Sequence, residues 1–158
     1  LSRYPNLIVT RTLAKAYGLA SLRVGYGVAS VEISGLLNRV RQPFNVNSLA
    51  LVAAEAAIND DKFVQKTREM NASGMVQWQV AIQALNLTSI PSRGNFLCVD
   101  MGTEAMPTFQ ALLREGVIVR PVANYGLPNH LRISIGTEEE NIFAISALER
   151  VLDAQVKV

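Results

Sequence analysis

The sequence has 158 residues, 49% of them hydrophobic and 18% charged, with 15 Lys and Arg against 13 Asp and Glu. That balance excludes a disordered tail, and a net charge of +2 spread along the chain excludes a polyanion footprint, so no nucleic-acid partner is expected. One cysteine (Cys98) and one histidine (His130) exclude an internal disulfide and a His/Cys zinc site, so no metal is expected and a reducing compartment is.

The length suits one domain or two small ones. The most apolar stretch, Leu49 to Ile58, contains Glu55 and falls far short of the roughly 20 residues that a membrane-spanning helix needs. No charged segment leads into an apolar core as in a secretory signal. The expectation is a cytoplasmic protein with no membrane contact. The chain opens on Leu1 instead of Met, which sets the further expectation that a segment upstream is missing.

Pro5 and Asn6 open an apolar run, Leu7 to Thr10, that reads as a buried strand. Arg11 to Ser21 is rich in small residues and reads as a loop with a helical turn. Arg23 to Ala29 reads as a second buried strand, with glycines that allow another backbone to approach. Ser30 caps a helix with an apolar face of Ile33, Leu36, Leu37 and Val40, broken by Gln42-Pro43-Phe44-Asn45. Asn47 or Ser48 caps an Ala-rich helix to about Asn59, apolar enough to be buried on most sides. Asp60-Asp61 opens a long helix to about Leu85, with Gly74 as a plausible kink and a domain boundary nearby.

Beyond Asn86 the texture changes. Thr88 to Ile90 and Phe96 to Asp100 read as strands around a turn, and Pro107 to Glu115 as a helix stopped by Gly116. Val117 to Arg120 reads as a strand ended by Pro121, followed by a loop over 125–129. His130 to Ile135 alternates, with Leu131, Ile133 and Ile135 to one side and Arg132 and Ser134 to the other. Gly136-Thr137 caps a last helix with a stripe of Ile142, Ile145, Leu148 and Leu152. Strands and helices interleave, so the class is α/β or α+β.

The chemistry concentrates in Thr12-Leu-Ala-Lys15-Ala-Tyr-Gly-Leu-Ala-Ser21 and Arg23. A lysine among apolar and small residues is disfavoured in its charged form by desolvation and nearby cations, which suits a Schiff-base nucleophile. The Thr12 hydroxyl and the Arg23 fork suit a phosphate. From spacing alone, a solvated lysine beside a surface arginine is the commoner arrangement. The same holds for Arg120 and Arg132, both near strand ends in the second half, for which a surface guanidinium is the commoner arrangement.

The run Thr12 to Ser21 resembles the lysine-attachment signature of the fold type I pyridoxal-phosphate aminotransferases, in the histidinol-phosphate branch. Arg39 to Ala50 and Gly116 to Thr137 are similar to segments of the same branch, so the resemblance covers essentially the whole chain. It implies an α/β fold: the C-terminal part of a fold type I transferase, with residues 1–66 ending the large cofactor domain and 67–158 forming an α+β small domain. It implies Lys15 as the catalytic, cofactor-bearing lysine, with Thr12 and Arg23 on the cofactor phosphate and Arg120 and Arg132 on the substrate's anionic group. It also implies an amine donor, 2-oxoglutarate as second substrate, a role in histidine biosynthesis, and a homodimer for which the helix from Asn47 to Asn59 is a candidate face. Ala14 departs from the pattern, since many relatives carry a serine there. The acidic partner of the pyridine nitrogen and the ring stacked on the cofactor have no candidate here, so this piece alone is expected to be inactive. Other fold type I enzymes (a phosphothreonine decarboxylase, an aromatic or aspartate aminotransferase) and a non-catalytic dimerising module stand as alternatives.

Overall fold

The computed structural model describes residues 3–156, which form six strands and five α-helices. They gather into two compact units that divide between Arg68 and Glu69.

In the first unit, β1 (Val9–Thr12) and β2 (Gly25–Val28) pair antiparallel, with Val9 opposite Val28 and Thr12 opposite Gly25. The ladder starts two residues later than the apolar run suggests. Leu7 is tied back into a turn by its N–H to the Tyr4 carbonyl at 3.1 Å, and backbone partners exist only from Val9 onward. Neither strand is buried as expected, and β2 is exposed along its length. Gly25 has a steric reason: a Cβ there would stand 2.5 Å from the Arg11 carbonyl oxygen.

Helix α1 (Val31–Val40) is capped by Ser30, whose Oγ accepts from the Ile33 N–H at 3.3 Å. Helix α2 (Ser48–Ile58) is capped by Asn47, whose Oδ1 accepts from the Ala50 N–H at 2.8 Å. The expected burial of α2 on most sides is not found. Ala50 and Ala54 are buried, while Leu49, Leu51 and Val52 are exposed. Small residues face the core because the core is small: Leu13, Val24, Ala50 and Ala54, with Tyr17, Leu19, Leu22 and Val46 packed against them. Between the helices, Phe44 takes a left-handed backbone (φ 55°) and is 96% exposed.

Helix α3 (Asp61–Ala84) carries the boundary between the units. The second unit is a four-stranded antiparallel sheet in the order β3-β4-β6-β5: β3 (Thr88–Ile90), β4 (Phe96–Asp100), β5 (Arg120–Val122) and β6 (Leu127–Ser134). The alternation expected in β6 is present: Leu131 and Ile133 are buried, Arg132 is half-buried and Ser134 exposed. Leu97 and Val99 of β4 join them in one core with Trp78, Leu112 and Leu148. Strand β5 starts three residues later than expected and contains Pro121 instead of stopping at it. As an edge strand it has no second neighbour for a proline to deprive of an N–H.

Helix α4 (Ala105–Arg114) ends in a Schellman arrangement: Gly116 (φ 81°) donates to the Leu113 carbonyl and Val117 to that of Leu112. Helix α5 (Glu138–Val156) begins with a capping box, in which Thr137 N–H donates to Glu140 Oε2 at 2.8 Å and Glu140 N–H to Thr137 Oγ1 at 3.3 Å. Three residues of the expected stripe meet the core, Leu148 within it and Ile145 and Leu152 packed against it. Asn141, Ala147, Leu148 and Val151 are buried, whereas Ile142 is exposed.

Gly74 does not interrupt α3. It is the point where the helix comes close to other groups, since a Cβ there would stand 2.5 Å from Ile135 Cγ2 and 2.6 Å from Asn141 Nδ2. Helix propensity alone makes Gly→Ala favourable by about 1 kcal/mol. Overpacking against two held side chains costs about 1–3 kcal/mol and loosens Asn141 as well. Gly74→Ala is therefore expected to be destabilising, by about 1–2 kcal/mol in urea unfolding; a gain in stability would contradict this packing.

Candidate functional site

Lys15 sits on a loop with a fixed base. Leu13 before it is 1% exposed, and its N–H donates to the Val24 carbonyl at 3.1 Å. The Leu19 N–H returns to the Leu13 carbonyl at 3.0 Å, and the Gly18 N–H to the Lys15 carbonyl at 2.8 Å. Gly18 takes φ 72°, where a side chain is strained, and a Cβ there would also press Phe63 Cζ at 3.3 Å. The loop thus closes on itself through backbone bonds and leaves the lysine side chain exposed. The apolar enclosure expected around Lys15 is not formed among the described residues.

Thr12, at the end of β1, and Arg23, just before β2, line one hollow of about 400 Å³ with Thr10, Arg11, Ala14, Val24 and Gly25. Thr12 Oγ1 accepts from the Ala14 N–H at 3.1 Å, which leaves the hydroxyl proton free to donate. Arg23 takes a left-handed backbone (φ 54°) and donates one Nη1–H to the Ala20 carbonyl at 2.8 Å. Four of the roughly five N–H donors of a guanidinium stay available. Thr12 and Arg23 share this hollow. Lys15 does not line it, although Ala14 beside it does.

In the second unit, Arg120 and Arg132 are direct partners across β5 and β6. The sheet order puts β6 between β4 and β5, so Arg132 is on an interior strand, half-buried, whereas Arg120 is on the edge and exposed. Among the described residues neither has a carboxylate partner; each guanidinium lies near an aromatic ring, Arg132 at 5.1 Å from the centroid of Phe96 and Arg120 at 6.0 Å from that of Tyr125. Sequence reading passed over Phe96. Only the β4–β6 register sets it beside the arginine, and no local pattern encodes that register. Cys98 lies opposite Arg132 and His130 opposite Asp100. Among the described residues no group of three or more His, Cys, Asp or Glu could hold a metal, and no helix is long and apolar enough to cross a membrane.

The chain is 59% identical over 152 residues to histidinol-phosphate aminotransferase 2 of Pseudomonas fluorescens (strain Pf0-1), covering 96% of this chain and 41% of that protein. It superposes on the crystal structure of histidinol-phosphate aminotransferase from Sinorhizobium meliloti in complex with pyridoxal-5'-phosphate with a TM-score of 0.84 at 28% identity, over 96% of this chain and 42% of that one. For L-threonine-O-3-phosphate decarboxylase from Porphyromonas gingivalis the TM-score is 0.82 at 25% identity, over 94% and 47%. The chain therefore spans about 41% of the length of the curated relative it matches. The fold is the mixed α/β arrangement of the fold type I aminotransferases, present in part. The sequence model of aminotransferase class I and II matches residues 1–148, and the chain belongs to that family.

Proposed function

We propose that this chain carries the lysine, the cofactor-phosphate grip and the substrate-anion grip of a pyridoxal-phosphate-dependent histidinol-phosphate:2-oxoglutarate aminotransferase of histidine biosynthesis. The observation that carries the reading is the pairing of Thr12 and Arg23 around one hollow at the base of the loop that presents Lys15. The donor set suits a phosphate dianion: one hydroxyl with its proton free and a guanidinium with donors to spare. Pyridoxal phosphate, when bound, supplies a ring that takes up the electron pair released at the amine-bearing carbon. Lys15 Nζ anchors the cofactor at rest. When free, it would take the proton from that carbon and return it elsewhere, as a general base and then a general acid. Its exposure in this chain leaves Nζ open to a cofactor and to other walls of a site.

Arg120 and Arg132 hold the anionic group of the amine donor, and 2-oxoglutarate in the second half of the cycle. Two unpaired guanidiniums facing one another suit a doubly charged group better than a single carboxylate. Residues 1–66 then belong to the large domain and 67–158 to the small one. The exposed apolar side chains of Phe44, Leu49 and Val52 suit cover by a second copy in a homodimer. We place the enzyme in the cytoplasm, where the amine donors of amino-acid synthesis are found.

The decisive experiment uses the protein at its natural length, loaded with pyridoxal phosphate. Histidinol phosphate and 2-oxoglutarate are expected to give glutamate, with L-threonine-O-3-phosphate inert. Carbon dioxide released from L-threonine-O-3-phosphate, with no glutamate from either donor, would replace this reading by the decarboxylase one, which the similar TM-score to that enzyme makes the natural competitor.

A further inference from the structure

Arg120 and Arg132 face each other directly across two strands, an arrangement in which like charges repel. Among the described residues no carboxylate lies within ion-pair distance of either guanidinium. Arg132 Nε is buried and has no hydrogen-bond partner, so the guanidinium is not held from its inner end. What does meet it is the ring of Phe96, 5.1 Å from the guanidinium carbon to the centroid. The face of that ring is negative and attracts a cation, more strongly where water is excluded.

The ring itself is fixed from several sides. Phe96 opens β4 opposite Ser134, which places it diagonal to Arg132 on the same face of the sheet. The turn before it is closed by three bonds: Ile135 N–H to the Asn95 carbonyl at 2.9 Å, Asn71 Nδ2–H to the Gly94 carbonyl at 3.2 Å, and Gly94 N–H to Ser92 Oγ at 3.1 Å. The ring edge passes over Gly94, where a Cβ would stand 3.4 Å from Phe96 Cε1. The closed turn therefore presents the ring to a guanidinium that has no ion-pair partner among the described residues.

We propose that Phe96 is a positioning residue for Arg132: its ring face, on the β4 side of β6, and the repulsion of Arg120, on the β5 side, together hold the guanidinium in the orientation that receives the substrate's anionic group. This rests on the reading of Arg132 as an anion-binding residue. Without the ring, the guanidinium loses its fixed direction in the free protein, and binding must restore it at a cost in affinity.

The test uses the protein at its natural length with pyridoxal phosphate bound, so that the cofactor-phosphate grip is occupied. Inorganic phosphate is titrated by calorimetry, and KM and kcat are measured for the anionic amine donor. Phe96→Leu, which keeps apolar bulk and removes the ring face, is expected to weaken phosphate binding and raise KM by about 3–10-fold. The value of kcat is expected to change by less than about twofold, because ground state and transition state share the anion contact. Phe96→Tyr restores both values to within about twofold, since it keeps the ring face. In an Arg132→Gln background, Phe96→Leu is expected to leave KM unchanged. Wild-type phosphate affinity in Phe96→Leu, failure of Phe96→Tyr to restore it, or a KM effect that persists without Arg132 would each overturn the proposal. If Arg132→Gln itself binds phosphate like wild type, the anion-binding reading falls, and this inference with it. If Arg132→Gln loses phosphate while Phe96→Leu does not, only the role of Phe96 falls.

Discussion

Lys15→Ala is expected to reduce transamination by about 10⁴-fold or more while leaving the fold intact, because the variant loses its proton carrier together with its covalent anchor. The separation of the two effects follows from the local structure. The bonds that close the loop run between backbone atoms of Leu13, Lys15, Gly18, Leu19 and Val24, and the side chain at 15 is exposed. Its removal opens no cavity and strands no partner, so the melting temperature should move little. Lys15→Arg should be equally inactive, since a guanidinium stays charged at any working pH and cannot take a proton. Borohydride reduction of the loaded protein at natural length, followed by peptide mass analysis, gives the direct check. The phosphopyridoxyl mass is expected on the peptide holding Lys15 and is expected to vanish in Lys15→Ala. Its appearance on Lys62 or Lys66 would displace Lys15 from the role.

How far this site could be read from sequence depends on which part is considered. That Thr12 and Arg23 line one hollow was legible because they lie within a dozen residues at the facing ends of paired strands, whereas Lys15 between them does not line it. Their meaning was not in the spacing; it came with the family signature. The caps Ser30, Asn47 and Thr137 were legible for the same reason of locality, as each bonds to an N–H three residues on. So was the alternation of β6, since strand period is a local property.

What escaped depends on register and on neighbours. Pro121 reads as a strand stop until β5 is known to lie at an edge, where a missing N–H costs nothing. The apolar run of α2 predicts burial, but composition does not say against what, and Leu49 and Val52 remain uncovered among the described residues. Phe96 became a neighbour of Arg132 only through a pairing between residues more than thirty apart in sequence. Gly74 looked like a kink because glycine weakens helices; its actual constraint is contact with Ile135 and Asn141, sixty residues on.

Asn141 belongs to the same group of missed residues, and its replacement carries the largest expected stability effect. It is 2% exposed and polar, and the helix stripe read from sequence passed beside it. Its Oδ1 accepts from Trp78 Nε1 and from the Gly136 N–H, both at 3.0 Å; its Nδ2 donates to Gln77 Oε1 at 2.9 Å and to the Gly136 carbonyl at 3.2 Å. The amide orientation is fixed by chemistry, because an indole N–H can only donate and so must face the oxygen. Asn141→Leu keeps the branched shape, with bulkier methyl groups, and removes all four bonds. Gln77 and Gly136 lie partly open and can turn to water, which limits their share. Trp78 is 1% exposed and cannot, so its N–H bears the full cost of an unmade bond. The expected loss is about 3–4 kcal/mol in denaturant unfolding, with the near-ultraviolet signal of the single tryptophan altered. Trp78→Phe removes that stranded donor. Added to Asn141→Leu it should therefore cost less than the sum of the two single changes, by about 1–2 kcal/mol. Strict additivity, or an Asn141→Leu variant within about 1 kcal/mol of the parent, would mean that the amide does not tie α3 to the start of α5.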